Sequence, residues 1–348
     1  MRKVLRPFAA VAALVAVSVP SLASAAGTGN HASSWTIYHP LTITSGAGHI
    51  WVASSNFVTE LSATTGAVVR VINGSSYEFN DPSAMTSLGN RIWVANTDGG
   101  FRPGSVTEFS ASTGALVRVI DSPIYGFADP DSITSGGGYI WVANGAGGVN
   151  GIGSVTELSA GTGALVSVRD GSRYGFNFPW HIASDGTHIW VANSHNSVTE
   201  LSATTGAVVR VIGGSDYGRG GLWDVASDGT HVWVLSYDCA VTELLASNGA
   251  LIRRIQIPGW FDGCDSVAIG ASHMWVTSGP WGTAVAELSL ATGALVRIIE
   301  GASYDFKGTC DVTLVGGDIW VVNYTSNAVT EISTATGALV RVIRGSNQ

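Results

Sequence analysis

Residues 179–212 read PWHIASDGTHIWVANSHNSVTELSATTGAVVRVI. Four short runs of apolar and β-branched residues lie in this stretch: His181 to Ser184, Ile189 to Asn193, Val198 to Ser202 and Ala207 to Ile212. Asp185-Gly186 separates the first two, and Thr204-Thr205-Gly206 separates the last two. Branched side chains suit a pleated surface, while Asp, Asn and Gly tolerate the backbone conformations of tight turns. The stretch therefore predicts one antiparallel unit of four strands, A to D.

The same pattern recurs along the chain. Its central tryptophan stands at Trp51, Trp93, Trp141, Trp190, Trp233, Trp275 and Trp320, at intervals of 42, 48, 49, 43, 42 and 45 residues. A period near 40 to 50 residues with four strands per unit is the signature of a β-propeller, and seven units predict an all-β seven-bladed ring. Strand A of the first unit begins at Pro40, and strand D of the last ends at Ile343, so the ring can close by packing blade 7 against blade 1. Residues 32–38 could add an outer strand.

Residues that repeat in every blade are expected to be scaffold. The seven tryptophans read as wedges between blades. The glutamate of the VTEL motif recurs seven times, and an arginine follows ten residues later in six units; Ser167 takes that place in the third. Such a Glu and Arg on neighbouring strands form cross-strand pairs. His49, His188, His231 and His273, two residues before their tryptophans, are expected in exposed A–B turns on the opposite face from the B–C and D–A loops.

The first 25 residues read as a secretory signal of bacterial type. Arg2, Lys3 and Arg6 precede the apolar run from Phe8 to Val19, and Ala23-Ser24-Ala25 is a small-x-small cleavage site. Residues 26–39 are then a lead-in to a propeller over 40–348, in a secreted or extracytoplasmic protein. No later apolar run is long enough to span a membrane. Losing Arg2, Lys3 and Arg6 takes the formal charge from −8 to −11, which excludes the basic footprint of a nucleic-acid or anionic-membrane binder. An oxidising compartment permits one disulfide among Cys239, Cys264 and Cys310, and the sequence leaves the pairing open.

Function is expected where the repeat breaks, in the B–C and D–A loops that share one rim of the channel. Trp180, Trp223, Trp260 and Trp281 lie there, with Tyr237, Tyr324 and His195. Clustered aromatic rings could stack on a sugar or flat ligand, or anchor a protein partner. Nine residues before each tryptophan the chain carries Thr42, Ala84, Ser132, His181, Asp224, Ser266 and Asp311; one residue earlier, blades 3 to 6 carry Asp131, Trp180, Trp223 and Asp265. These positions should circle the channel mouth. Asp131, Asp224, Asp265 and Asp311 could present oxygen ligands to a hard divalent cation such as Mg²⁺ or Ca²⁺, with His181 as ligand or catalytic base.

The pattern P-x-x-I-A-S-D-G-x-x-I-W-V-A-N, clearest over Pro179 to Asn193 and Leu222 to Ser236, resembles the virginiamycin B lyase-like and NHL-type propellers over residues 40–343. The resemblance implies a propeller fold and, for the lyases, metal-assisted elimination that opens a cyclic depsipeptide ester, with the base at His181. Such lyases commonly carry an acidic residue three positions after the tryptophan, where this chain has Ser54, Asn96, Asn144, Asn193, Ser236, Ser278 and Asn323. The expected function is therefore a monomeric, non-enzymatic binding protein that uses its loop face, with the lyase as the alternative.

Overall fold

The computed structural model describes residues 36–100, 103–214, 220–258, 261 and 263–346. The proposed signal segment lies outside these residues, as does Trp260. The described chain forms seven four-stranded antiparallel sheets, each built from four strands consecutive in sequence. It is an all-β seven-bladed propeller. Blade 4 shows how the pattern is realised: strand A is Pro179–Ser184, B is His188–Asn193, C is Ser197–Ser202 and D is Val208–Gly213.

Burial follows position in the blade. The B and C strands are sandwiched between neighbouring blades and are buried on both faces, as their uninterrupted apolar runs require. Each repeat tryptophan projects into the next blade. Trp141 packs against Ile189, Val191 and Leu201, and Trp190 packs against Val232, Val234 and Leu244. The last interface repeats the rule: Trp320 and Val322 pack against Ile43, Ile50 and Leu61 of blade 1. Residues 36–39 form no strand. They cross this closing seam instead, with Ile37 buried in it and the Thr36 N–H donating to the Ser346 carbonyl at 3.1 Å.

The Glu–Arg pairing is present in all seven blades, with Glu60 opposite Arg70 and Glu200 opposite Arg210 in register. Most of the Arg–Glu separations fall between 2.5 and 2.8 Å, and Arg253–Glu243 makes the same contact. In blade 3 the partner missing at Ser167 is supplied by Arg169, 2.5 Å from Glu157. Two residues along a strand return to the same face, so the substitution keeps the pair. The arginines also tie blades together: Arg210 donates to the Ser247 carbonyl of blade 5 at 3.0 Å, and Arg341 to the Thr64 carbonyl of blade 1 at 3.2 Å. This seam explains the Thr-Gly turn. Gly163 has φ +69°, and a Cβ there would lie 2.7 Å from Cδ of Arg118, so both backbone and space demand glycine.

The histidines two before the tryptophans are half-buried rather than exposed. His49, His188, His231 and His273 start their B strands and lean on the same buried glutamates, at 3.4 to 3.8 Å. They belong to the scaffold, because a buried carboxylate with one arginine still has lone pairs to satisfy.

The residue three after the tryptophan is also structural. Asn96, Asn144, Asn193 and Asn323 each donate to the threonine hydroxyl of the VTEL motif, at 2.9 to 3.2 Å. That hydroxyl in turn donates to a tyrosine carbonyl in the preceding D–A loop, as Thr199 does to Tyr174 at 2.8 Å. The relay pins the loops that build the rim. Blade 6 has Ala286 in place of the threonine. The loop before it is held instead by the Cys239–Cys264 disulfide, which resolves the cysteine pairing, while Cys310 is a buried free thiol.

Candidate functional site

Strand A of most blades enters the sheet through a β-bulge. In blade 4, Pro179 pairs with Asn193 and His181 with Ala192, leaving Trp180 as the extra residue; in blade 5, Leu222 and Asp224 are paired and Trp223 is extra. A bulge re-aims the unpaired side chain and the one beside it. The two neighbouring blades thereby bring two couples to one stretch of rim. Trp180 and Trp223 pack ring against ring, with centroids 4.1 Å apart and planes tilted by 31°, and His181 Nδ1 lies 2.5 Å from Asp224 Oδ1. Tyr237 stands against Trp223 at 5.7 Å with its ring turned by 65°, and is 52% exposed.

Two of the four candidate aspartates hold the inner ring together. Asp311 Oδ2 accepts from the Thr42 hydroxyl at 2.9 Å and the Ile43 N–H at 3.0 Å, both in blade 1. Its Oδ1 accepts from the Ser266 hydroxyl of blade 6 at 2.8 Å and from the Val312 N–H at 2.7 Å. Asp224 is buried and does the same between blades 5 and 6: Oδ2 accepts from the Val267 N–H at 2.7 Å, and Oδ1 from the Val225 N–H at 2.6 Å. Each carboxylate thus satisfies an amide of the next blade's strand A. A hydroxyl does so in blade 3, where Ser132 accepts from the Ile182 N–H at 3.3 Å.

Asp265 and Asp131 differ from these. The Asp265 carboxylate accepts no hydrogen bond among the described residues, yet it interacts electrostatically with Asp311, Asp224 and His181. Burial, together with the two like charges, pushes its pKa to about 7. Burial also raises Asp311, although bonds from Ile43, Ser266 and Thr42 pull against it. For His181, burial disfavours the imidazolium, but the Asp224 carboxylate, aided by Asp311 and Asp265, outweighs it and raises the pKa. Asp131 stands apart, half-buried beside Asp129, with Oδ2 2.2 Å from where a Cβ on Gly145 would be.

Among the described residues, no three His, Cys, Asp or Glu side chains are placed to hold a metal ion. Asp224 and Asp311 spend their oxygens on the inner strands, and Asp131 faces Gly145. The donor set present does not fit the divalent ion that the lyase resemblance implies.

The remaining rim residues are dispersed. His195 is exposed and stacks on Phe178 at 5.8 Å rather than joining His181. Trp281 is 69% exposed in the B–C loop of blade 6. Tyr324 stacks on His39 at the closing seam, 4.6 Å between centroids. A hollow of about 340 Å³ on the same loop face, lined by Ser122, Phe127 and several glycines of blades 2 and 3, holds no titratable side chain.

Phe178 belongs to no motif that marks it in the sequence. Twelve residues before the tryptophan every blade has a left-handed backbone, at His39, Asp81, Asp129, Phe178, Gly221, Gly263 and Gly308. Glycine or aspartate takes this conformation readily; a bulky aromatic residue at φ +52° does not. Such strain is held where the surroundings demand it, and here it sets a ring on the rim two residues from Trp180. Comparing residue types across the seven equivalent positions would have exposed it.

Asp265, Glu331 and His181, all shifted upward, make stability fall as pH rises. Asp265 binds its proton more tightly folded than unfolded, so its contribution falls as pH rises from about 4 to about 7. Burial next to Asp318 likewise carries Glu331 to about 7, against the pull of Arg341. The raised pKa of His181 gives stability that is full below its ordinary value of about 6.5 and is lost above its folded value. The melting temperature is expected to fall by a few degrees between about pH 5 and about pH 8. Asp265→Asn should reduce that slope by raising the value at the alkaline end; an unchanged slope would contradict the assignment.

Fold and site together define a seven-bladed β-propeller with an aromatic, carboxylate-bearing mouth. No family model matches the chain, and no curated protein does. Among solved structures it is similar to the computationally designed Ika8 protein, with 13% identity, a TM-score of 0.65, and 89% of this chain and 88% of that one covered. It is also similar to the hydrazine synthase of Kuenenia stuttgartiensis, with 18% identity, a TM-score of 0.70, and 89% and 99% covered. At these identities the likeness shows the propeller fold.

Proposed function

We propose that this chain is an exported binding protein that seats a ligand or protein partner on its B–C and D–A loop face, at the seam of blades 4 and 5. One observation carries this: the Trp180–Trp223 stack, made of two residues that break the repeat, with half-exposed Tyr237 beside it. The tryptophan wedges and the Glu–Arg pairs of the scaffold repeat from blade to blade, and these rings do not. Large rings partly open to solvent supply the contact area on which binding surfaces rely. The bulges that aim them lie at the inner end of each blade, where loops from adjacent blades converge.

The test is a Trp180→Ala, Trp223→Ala double variant in a binding screen of oligosaccharides, flat aromatic compounds and small cations. Binding should weaken by about tenfold or more while the fold is retained. A bound compound whose affinity the double variant leaves unchanged would sink the assignment of the rim.

One further observation favours a second function. The half-exposed His181 is held through Nδ1 by the buried Asp224, and its Nε2 has no hydrogen-bond partner among the described residues. An imidazole oriented in this way can take a proton as a general base. That is the part His181 would play in opening a cyclic depsipeptide ester by elimination, the activity suggested by the virginiamycin B lyase-like repeat pattern. His181→Ala would abolish such turnover; turnover that survives the substitution would remove this alternative.

A further inference from the structure

We propose that the Trp180–Trp223 pair and the carboxylates next to it form a binding site for an organic cation, an alkyl or quaternary ammonium group. The inference rests on the loop face being the binding face and names the chemistry of its ligand.

Ten residues before the tryptophan, blades 3 to 6 carry Asp131, Trp180, Trp223 and Asp265 in succession. Strands A of consecutive blades lie side by side round the axis, so the indole pair is bracketed by a carboxylate in the blade on each side. The two carboxylates are not equivalent. Asp131 is turned to the backbone of Gly145. Asp265 accepts no hydrogen bond among the described residues and belongs electrically to the group formed by His181, Asp224 and Asp311.

Within that group, three carboxylates face one imidazole. Among the described residues, no Lys or Arg side chain pairs with Asp224, Asp265 or Asp311. Asp224 and Asp311 have their oxygens taken up by amides and hydroxyls of the inner strands. Among the described residues, Asp265 is the carboxylate of the three without such partners. A positive ligand would offset the mutual repulsion of these groups; an anion would add to it.

The aromatic side supplies the complementary half. The negative face of an indole attracts a cation, most strongly where water is partly excluded. Trp223 offers such a face, and Tyr237, inclined at 65° to it, offers a second wall. Aromatic faces meeting at an angle, with Asp265 at the equivalent position of the next blade, fit a compact ammonium group better than a flat neutral ring. A flat ring would use one face and leave Asp265 unanswered.

The test compares choline with 3,3-dimethylbutan-1-ol, which has the same shape without the charge. Each is titrated calorimetrically into the mature chain at about pH 8.5, above the value of about 7 to which the Asp265 carboxyl is raised. Choline should bind saturably and the neutral isostere about tenfold more weakly or not at all. Trp223→Ala and Asp265→Asn should each weaken choline by about tenfold, while Trp223→Phe keeps most of the affinity. Thermal melts confirm that the variants fold. If the isostere binds as well as choline and Trp223→Ala weakens both, the cation inference is overturned and the loop face stands as a binding face. Choline that fails to saturate at about 100 mM also overturns it. If choline binds with an affinity that neither Trp180→Ala nor Trp223→Ala alters, the loop-face assignment itself fails.

Discussion

Asp311→Ala is expected to destabilise the protein by about 3 kcal/mol or more, and to do so by opening the ring. The carboxylate accepts four hydrogen bonds that span blades 6, 7 and 1: from Ser266, from Val312, and from the hydroxyl and amide of Thr42 and Ile43. Alanine leaves the Ile43 and Val312 amides without their acceptor at the inner seam, and an unmade bond there costs more than a made one contributes. Asp311→Asn keeps one acceptor oxygen and should cost less. Asp265→Asn, which removes an uncompensated carboxyl, should be neutral or stabilising. Chemical unfolding of the three variants checks the ranking. An Asp311→Ala protein within about 0.5 kcal/mol of the parent would show that the inner belt does not close the ring.

The second large effect separates the two classes of tryptophan. Trp190→Ala should cost about 3 to 5 kcal/mol, because the indole is fully buried among Val232, Val234 and Leu244 of the next blade, and its removal leaves a cavity there. Its Nε1 also donates to Asp185 Oδ2 at 3.0 Å, so an acceptor loses its partner. Trp180→Ala removes one half-exposed ring and one stacking contact, worth about 1 kcal/mol. The same substitution ten residues apart thus tells a wedge from a rim residue. Equal losses at the two positions would mean that the Trp180–Trp223 pair is part of the core.

How much of this was legible in the sequence varies from residue to residue. The blades and the Glu–Arg ladder follow from spacing alone, since register within a hairpin is local. Arg169 replacing Arg at Ser167 was readable in principle, two residues along the same strand face. The cysteine pairing was not, because spacing does not fix which of three thiols meet. The roles of Asp224 and Asp311 were hidden for a different reason. Their position at the mouth follows from the repeat, but their partners, Val267 and Ile43, lie in the adjacent blade and are backbone amides with no side-chain signature. The asparagine three after the tryptophan was hidden likewise, because its bond to the VTEL threonine matters only through the loop which that threonine holds. Phe178 shows the limit most clearly: its identity looks ordinary until it is set against the Asp and Gly of the equivalent positions, whose left-handed backbone it shares.

The central claim is that the repeated residues are scaffold and the unrepeated aromatic seam of blades 4 and 5 is the working surface. Its most direct test is the indole ¹H–¹⁵N spectrum of the protein, with Trp180 and Trp223 assigned by single Trp→Phe variants and followed while choline and a panel of oligosaccharides are added. A compound that binds saturably is expected to move the Trp180 and Trp223 signals and to leave the seven wedge indoles in place. A saturably bound compound that leaves both rim signals unmoved would contradict it.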